Sequence, residues 1–244
     1  MDPAFTQADF ERIAAFIGPN GVLAGFSTHA HYDHLFWSPL FGDETPRYCS
    51  EGTLEQVHSH RQEILKELLA LDNDPFNVNH RYIIEHLHYL SSLSDGLHYL
   101  NDLLVEVVAI PGHLRGQTAF VFLEFQTLFA ANTLSNTEPP SIEGSQQSLL
   151  DYLETLATLS NLIRRVKWIV PGHGDPADSS EARCRLNQDR RYLEALMDLQ
   201  MDDFSSGVEA LALGFLNRIK ETRAVSPDAW QIHLQNLKAA YHWL

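Results

Sequence analysis

The stretch FSTHAHYDHLFW, residues 26–37, concentrates potential metal ligands more densely than any other part of the chain. Within six residues it contains three histidines and one aspartate, which are His29, His31, Asp33 and His34. The apolar run VLAGFS (22–27) leads directly into this cluster and is typical of a short buried strand. The sequence therefore predicts that the cluster lies on a loop at the end of a strand.

The residue types and the spacing of this cluster favour metal binding. In extended backbone the side chains alternate between two faces, so His29, His31 and Asp33 are predicted to share one face. A turn after Asp33 then brings His34 round to join them. Zinc binds imidazole nitrogen and carboxylate oxygen readily, whereas packing these ionisable groups together without a metal ion is costly. We therefore predict a metal site at this loop.

Two further histidines stand in a repeated context. His113 follows the predicted strand LLVEVVAI (103–110) within IPGHLRG, and His173 follows the predicted strand KWIV (167–170) within VPGHGDP. Each context is a strand, then Pro-Gly, then histidine, and glycine permits the sharp turn that points the histidine across the strand ends. We expect these two histidines and the cluster to converge at one edge of a sheet.

The other histidines are not predicted to bind metal. The segment EGTLEQVHSHRQEILKELLALD (51–72) is predicted to be one helix, in which residues two apart diverge by about 200°. His58 and His60 therefore cannot easily chelate one ion, and we interpret the pair His86 and His88 in the same way. The single histidines are His80, His98, His233 and His242.

Composition narrows the class of protein. The 244 residues, 44% of them apolar, suffice for one large domain with a buried core. An excess of 32 acidic over 17 basic residues, a net charge of −15, argues against nucleic-acid binding. The sequence has no apolar run long enough for a membrane span and no pattern of a signal peptide, so we expect no membrane partner and a cytoplasmic location. Cys49 and Cys184 are predicted to be free thiols in a reducing compartment.

Strands and helices alternate along the chain, which indicates an α/β class. Helices are predicted at TQADFERIAAFI (6–17) and SQQSLLDYLETLATLSNLI (145–163), and nearly all of the chain from Ser179 onward is helical in pattern. A tight turn is expected near Gln126, and SNTEPPSIEGS (135–145) is predicted to be a long irregular loop. Further strands are predicted at RYCS (47–50), LHYL (97–100), AFVFLEF (119–125) and TLFAA (127–131).

Taken together, these motifs resemble the metallo-β-lactamase fold superfamily. Six residues carry the resemblance by their order and context: His29, His31, Asp33, His34, His113 and His173. The segment LFAANTLSNTEPP (128–140) matches the strand and loop that the family has between the last two histidines. The resemblance implies an αββα sandwich over residues 1–178 with a metal site at one edge. A helical C-terminal extension, residues 179–244, is expected to pack on this domain.

The resemblance also implies an activity. It assigns the first two histidines of the cluster, with His113, to one metal site, and Asp33, His34 and His173 to a second. The family usually holds two zinc ions, although iron and manganese suit a similar set of ligands. The expected function is a hydrolase that uses a zinc-bound hydroxide on a small ester-, lactone- or amide-like substrate. Zinc lowers the pKa of bound water to about 7, and Asp33 is the candidate catalytic residue that orients the hydroxide; its alternative role is a hydrogen-bond anchor for the loop.

One position departs from the family pattern. In FAANTL (129–134), Asn132 stands where the family usually has an aspartate that bridges two metal ions. A neutral amide offers one useful oxygen and no charge, so Asp33 would be the one carboxylate facing two divalent ions. We therefore expect weakened binding at the second site and a protein with one or two metal ions. The alternative is that Asn132 still ligates metal through its amide oxygen and little changes.

A second departure lies at the N-terminus. The family has a β-meander before its first helix, and here Asp2-Pro3 occupies about the position of the turn that ends it. The first sheet is thus expected to lack strands and to carry an unpaired edge, which favours aggregation or a homodimer. A truncated chain, a mis-assigned start and a second subunit that supplies the strands are the alternatives.

These departures support a rival function, which is a catalytically silent protein of the same fold that binds a ligand or a partner. An RNA-processing nuclease is a third function, and the acidic balance of the chain weighs against it. The leading prediction is the hydrolase, with a small molecule as its partner.

Several residues near the cluster have two predicted roles. Tyr32 and Trp37 flank it and could line a substrate pocket, although core packing suits Trp37 equally well. Arg115 either meets an anionic group of the substrate or braces a surface loop. Asp175 precedes a proline and is predicted to be a turn residue. The C-terminal helices either cap the pocket or form a dimer interface.

Overall fold

The computed structural model describes residues 7–70, 89–100, 102–224 and 226–243. Two β-sheets lie face to face, and helices cover the outer face of each. The αββα sandwich predicted from the sequence is confirmed. The structure does not test the predictions for His80, for the pair His86 and His88, or for Asp2-Pro3, because these residues lie outside the described ranges.

The small sheet contains three parallel strands in chain order, β1 (Gly25–Phe26), β2 (Arg47–Ser50) and β3 (Leu90–Leu93). The strand predicted over residues 22–27 is therefore wrong in extent, because two residues alone pair with β2. The register places Gly25 beside Arg47, so residue 24 faces Pro46. A proline has no backbone N–H, and the hydrogen-bond ladder ends there.

The large sheet contains six strands in chain order, antiparallel except for the pair β7 and β8. Its strands are β4 (Gly96–Leu100), β5 (Leu103–Ala109), β6 (Thr118–Phe122), β7 (Thr127–Phe129), β8 (Trp168–Val170) and β9 (Ala177–Asp178). The strands predicted in this region are confirmed, but β6 ends at Phe122 and β7 at Phe129, before the predicted ends at residues 125 and 131. Gln126 adopts a positive φ of 48° in the tight turn expected between β6 and β7.

Helices flank the two sheets. Those associated with the small sheet are α1 (Gln7–Ile17), the single turn α2 (Tyr32–Leu35), α3 (Glu51–Ser59) and α4 (Arg61–Ala70). Those beside the large sheet are α5 (Gln146–Ile163), α6 (Ser179–Met197), α7 (Val208–Ile219) and α8 (Pro227–Trp243).

The single helix predicted over residues 51–72 is wrong, because α3 ends before His60 and α4 begins after it. The hydroxyl of Ser59 donates to the carbonyl of Glu55 at 2.8 Å and also lies 2.9 Å from Nδ1 of His60. Such a side chain competes with the backbone for a helical carbonyl and bends or ends the helix. Both His58 and His60 are exposed to solvent.

Side-chain alternation along the strands sets the layers of the core. On β6, Phe120 and Phe122 face the small sheet and pack against Phe26, with ring centroids 5.3 and 5.2 Å apart. Val121, between them, faces the helices on the other side. Burying each such side chain stabilises the fold by about 1.5–3 kcal/mol. The helices from Ser179 onward share one apolar core with α5; the domain boundary at residue 178 stays a prediction.

Segments that leave the strands from both sheets meet at one end of the sandwich. The chain leaving β1 carries the histidine cluster, and those leaving β5, β7 and β8 carry His113, Asn132 and His173. Gly112 makes the turn before His113 with a φ of +124°, and a Cβ atom there would lie 2.5 Å from Cα of Tyr152. This turn therefore requires glycine and fixes where His113 points.

Other features of the fold bear on the remaining predictions. In the described part of the chain, β1 pairs with β2 alone, and Leu23 and Phe125 are exposed in an apolar groove beside it. Cys49 is buried, Cys184 is exposed, and both are free thiols. Among the described helices, none combines the length and the apolar character needed to cross a membrane.

Candidate metal centre

Three imidazole rings converge on one point. Nδ1 of His31 lies 3.2 Å from Nε2 of His29 and 3.1 Å from Nε2 of His113. Zinc–nitrogen bonds of 2.0–2.1 Å at tetrahedral angles place two ligating nitrogens about 3.3 Å apart. The spacing of these nitrogens therefore fits a tetrahedral ion with three histidine ligands and one open position.

Hydrogen bonds on the far side of two rings direct the free nitrogens inward. Nδ1 of His113 lies 3.0 Å from the carbonyl oxygen of Ser141, which can only accept, so Nδ1 carries the proton. Nδ1 of His29 lies 3.0 Å from the hydroxyl of Thr28. The carbonyl of Ser141 holds His113 in the tautomer in which Nε2 keeps its lone pair, as metal-binding histidines require. The hydroxyl of Thr28 can donate or accept, and it fixes the orientation of the His29 ring.

The surroundings also keep these rings neutral. Burial lowers the pKa of His29, and the neighbouring histidines lower it further. Burial likewise lowers the pKa of His31 to about 4 and that of His113 to about 3. A neutral imidazole is the form that donates a lone pair to a metal ion, so all three rings are ready to ligate at neutral pH.

A second group lies next to the first. Oδ2 of Asp33 is 3.3 Å from Nε2 of His34 and 3.6 Å from Nε2 of His173. The ring of His34 is almost fully buried, whereas that of His173 is 38% exposed. Burial raises the pKa of Asp33, but the adjacent imidazoles outweigh it and hold the pKa below its usual range. The carboxylate is therefore ionised and is the anionic member of this group.

The backbone of the cluster changes from extended to helical earlier than the spacing of its ligands predicted. The chain is extended at His31, but α2 begins at Tyr32, one residue before Asp33. The prediction that Asp33 shares a face with His29 and His31 is therefore wrong. A helical turn rotates successive side chains by about 100°, so Asp33 and His34 point into the second group and the two histidines before them into the first.

Asn132 lies between the two groups. Its side-chain nitrogen is 3.1 Å from Nε2 of His113, and its backbone carbonyl accepts a hydrogen bond from the hydroxyl of Tyr152 at 3.0 Å. Its Oδ1 atom is buried without a hydrogen-bond partner, and a Cβ atom on Gly172 would lie 2.3 Å from it. A buried oxygen left unsatisfied is costly, and a metal ion beside it would remove that cost. The donor set and this oxygen together fit a metal-binding site.

A small cavity of about 190 Å³ opens onto both groups. It is lined by His31, His113, Asp33 and His173 from the two groups, and by Tyr152 from α5. The sequence did not point to its other wall, which includes Glu138 and Pro140 from the irregular loop, Asp189 from α6 and Ile232 from α8. The C-terminal helices therefore form part of the cavity, as one of the two sequence alternatives expected.

The C-terminal extension also holds the loop that carries Asn132. The backbone N–H of Leu134 donates to Oδ2 of Asp189 at 3.3 Å, and Arg223 donates to the carbonyl of Ser135 at 3.0 Å. Arg223 also donates to Oδ1 of Asp189 at 2.5 Å. No local sequence pattern reveals these contacts, because Arg223 is 34 residues from Asp189 and 88 from Ser135.

The structure separates other candidate residues from the site. The ring of Tyr32 packs against Phe36, and Trp37 is buried in the core on the outer face of the small sheet. Arg115 is exposed and lines a different cavity from the one that opens onto the two groups. The backbone N–H of Asp175 donates to Oδ1 of Asn136 at 2.8 Å, in agreement with the predicted turn.

Two single histidines have structural partners. Buried His233 accepts a hydrogen bond from Tyr192 at Nδ1 and donates from Nε2 to the carbonyl of Ala212, at 2.8 and 3.2 Å. Nε2 of His98 donates to the carbonyl of Ser94 at 2.7 Å. Neither histidine belongs to the two groups described above.

No model of a protein family and no curated protein matches the sequence. Solved structures match its fold. A metallo-beta-lactamase family protein from Thermus thermophilus aligns with a TM-score of 0.66 at 20% identity, over 100% of this chain and 83% of that one. A beta-lactamase domain protein from Burkholderia ambifaria aligns with a TM-score of 0.63 at 16% identity, over 98% and 73% of the two chains. An archaeal metallo-beta-lactamase superfamily protein from Sulfolobus tokodaii gives 0.52 at 13%, over 91% and 80%.

The chain has the metallo-β-lactamase fold. Within this fold the two groups are separate sets of three potential ligands, one of three histidines and one of Asp33, His34 and His173. In each set the ligand atoms lie within 4.8 Å of one another. This metallo-β-lactamase fold therefore brings together at one edge of the sandwich the residues that the sequence marks as ligands.

Proposed function

We propose that the chain is a metal-dependent hydrolase of a small ester-, lactone- or amide-like substrate. The observation that carries this proposal is the convergence of three neutral imidazoles, 3.1 and 3.2 Å apart at their free nitrogens, beside a small cavity. Three histidines with an open fourth position are the ligand set of a catalytic zinc ion.

Each group has a distinct task in this proposal. When bound at His29, His31 and His113, zinc supplies a water whose pKa is lowered to about 7 and a Lewis acid for a carbonyl oxygen. Asp33 is ionised, so its carboxylate accepts a hydrogen bond from the attacking water and orients it. The cavity wall holds the substrate next to these groups.

We further propose that the first group binds its ion more tightly than the second. The first group has three buried or half-buried nitrogen ligands. The second has one carboxylate, and half-exposed His173 is one of its ligands. Asn132 adds no charge to either group. Zinc is the metal that suits the first ligand set best, and iron or manganese would also suit a mixed histidine and carboxylate set.

Hydrolysis of p-nitrophenyl acetate tests the hydrolase. We expect turnover that requires added zinc, is removed by a chelator and falls to background in His31→Ala. His58→Ala is the matched control, because His58 is an exposed histidine on α3 outside both groups. Turnover that is equal in wild type and His31→Ala, or that does not need metal, would contradict the proposal.

A silent binding protein of the same fold is the second candidate, and Asn132 is the observation that favours it. In that case zinc binds at the first group, no ester is hydrolysed, and Asn132→Asp does not create turnover. A large gain of activity in Asn132→Asp would instead indicate a weakened hydrolase.

A further inference from the structure

The cavity beside the two groups has a wall of distinctive charge. Neither lysine nor arginine lines it, within the part of the chain that the structure describes. The acidic side chains that line it are those of Asp33, Glu138 and Asp189. Each carboxylate must therefore be assigned a partner before the character of the cavity can be judged.

Two of these carboxylates have partners within the protein. Asp33 belongs to the second ligand group, where it lies next to two histidines. Asp189 forms a buried ion pair with Arg223, whose other donors are taken by Glu221 and the carbonyl of Ser135. One guanidinium thus faces two carboxylates, so Arg223 offers no unpaired positive charge to the cavity.

Glu138 differs from both. It is half-buried, it lines the cavity, and its backbone N–H is held by the hydroxyl of Ser135 at 3.1 Å. Its carboxylate forms no ion pair with any described lysine or arginine. Ile232, Pro139 and Pro140 supply apolar surface in the same cavity. A carboxylate next to apolar surface and without a cation is suited to a cationic group on a ligand.

We infer that Glu138 is a specificity-determining residue, through which the cavity prefers a substrate with a cationic ammonium group to an uncharged one of the same shape. This inference rests on the proposed function, because it assigns the cavity to the substrate of the same site. A zinc ion at the first group would carry positive charge into the same cavity, so the preference is assigned to Glu138 itself and not to the charge of the cavity as a whole. The net charge of −15 adds a long-range attraction for cations.

A binding measurement tests the inference without requiring turnover. The probes are choline and its uncharged isostere 3,3-dimethyl-1-butanol, each titrated calorimetrically into the zinc-loaded protein. We expect choline to bind about three- to tenfold more tightly, the scale of one partly solvated charge pair. Glu138→Gln should abolish this difference by weakening choline alone, whereas Glu154→Gln, the same change at an exposed position on α5, should preserve it.

Equal affinity for the two probes in wild type would overturn the inference, as would a preference for choline that persists in Glu138→Gln or a lack of binding by either probe. These outcomes are independent of catalysis. Preference for choline without any zinc-dependent ester hydrolysis would refute the proposed hydrolase and still support the charge selectivity. Zinc-dependent hydrolysis with equal affinities for the two probes would support the hydrolase and refute the charge selectivity.

Turnover extends the test if the hydrolase is correct. The substrates are the p-nitrophenyl esters of 4-(trimethylammonio)butyrate and of 5,5-dimethylhexanoate, which are cationic and neutral. Glu138→Gln should raise KM for the cationic ester relative to KM for the neutral ester, whereas Glu154→Gln should leave the ratio of the two KM values as in wild type. Glu138→Lys should raise KM for the cationic ester further; an unchanged KM for that ester would contradict the inference.

Discussion

The side-chain nitrogen of Asn132 lies 3.1 Å from Nε2 of His113. Because Nδ1 of His113 is already bonded to the carbonyl of Ser141, Nε2 has the lone pair and the amide N–H donates to it. A metal ion at the first group needs that same lone pair. Metal binding must therefore replace this hydrogen bond, after which a rotated amide would offer its oxygen to the ions.

Asn132→Asp should strengthen metal binding, above all at the second group. An ionised carboxylate does not donate to His113, and it adds a negative charge between two cationic positions. Calorimetric titration with zinc should give a tight and a weak event in wild type and two tight events in the variant. Asn217→Asp, at an exposed position on α7, is the control that should behave as wild type. Identical binding curves for Asn132→Asp and wild type would count against this role.

Gly172→Ala should impair the second group while the fold persists. The new Cβ atom would lie 2.3 Å from Oδ1 of Asn132 and 3.0 Å from Cε1 of His34, so both side chains must move. Zinc titration should show a loss of about tenfold or more in the weaker event, the scale of misplacing a ligand or its support. Gly214→Ala, on α7 with open space around it, should keep wild-type binding and should not destabilise the protein.

Arg223→Met should destabilise the protein strongly. Asp189 and Arg223 are 2% and 4% exposed at their side chains, so loss of the cation leaves a buried charge at a cost of about 3–5 kcal/mol. The control Arg165→Met removes a more exposed pair with Glu106, whose arginine side chain is 48% exposed, and should cost less than about 1 kcal/mol. Urea unfolding measures the free energy of unfolding of both variants relative to wild type.

Adding Asp189→Asn to Arg223→Met should recover part of the lost stability, because the uncompensated charge is then removed. A cost for Arg223→Met no larger than that of Arg165→Met would show that the pair is not important for stability. The same network holds Leu134 and Ser135, so the single variant should also weaken zinc binding.

His233 should make the fold sensitive to acid. Burial lowers the pKa of His233 below 6.5 in the folded protein, and Nδ1 accepts from Tyr192 there. As the pH falls below 6.5, the unfolded chain gains a proton that the folded chain does not, so stability decreases. The free energy of unfolding should therefore fall less steeply between pH 7.5 and 5.5 in His233→Gln, whatever its stability at pH 7.5. Equal slopes would contradict this account.

The sequence was most informative where ligands are close together in the chain. The H-x-H-x-D-H spacing and the two Pro-Gly-His turns correctly predict the end of the sandwich at which the ligands lie. Each motif follows a strand, and the ends of these strands meet at that end of the sandwich. The spacing alone put Asp33 on the face of His29 and His31, whereas the resemblance grouped it with His34 and His173. The difference depends on whether the helical turn begins at Tyr32 or after Asp33. Such a boundary depends on local packing rather than on spacing.

The cavity wall was not predictable in the same way. Glu138 lies in an irregular loop with no periodic pattern, and Ile232 reaches the cavity because α8 packs on the rest of the chain. The buried pairing of Asp189 with Arg223 joins residues with no common motif. These contacts are set by tertiary packing, so they required the fold.

Zinc content at equilibrium tests the central claim most directly. Wild-type protein, His31→Ala and the control His58→Ala are dialysed against zinc buffered by a chelator and then analysed for zinc per chain. We predict about one tightly held ion in wild type and in His58→Ala, a second bound at higher free zinc, and loss of the tight ion in His31→Ala. No bound zinc in wild type, or the same tight ion in His31→Ala, would contradict the assignment of the three histidines as a metal centre.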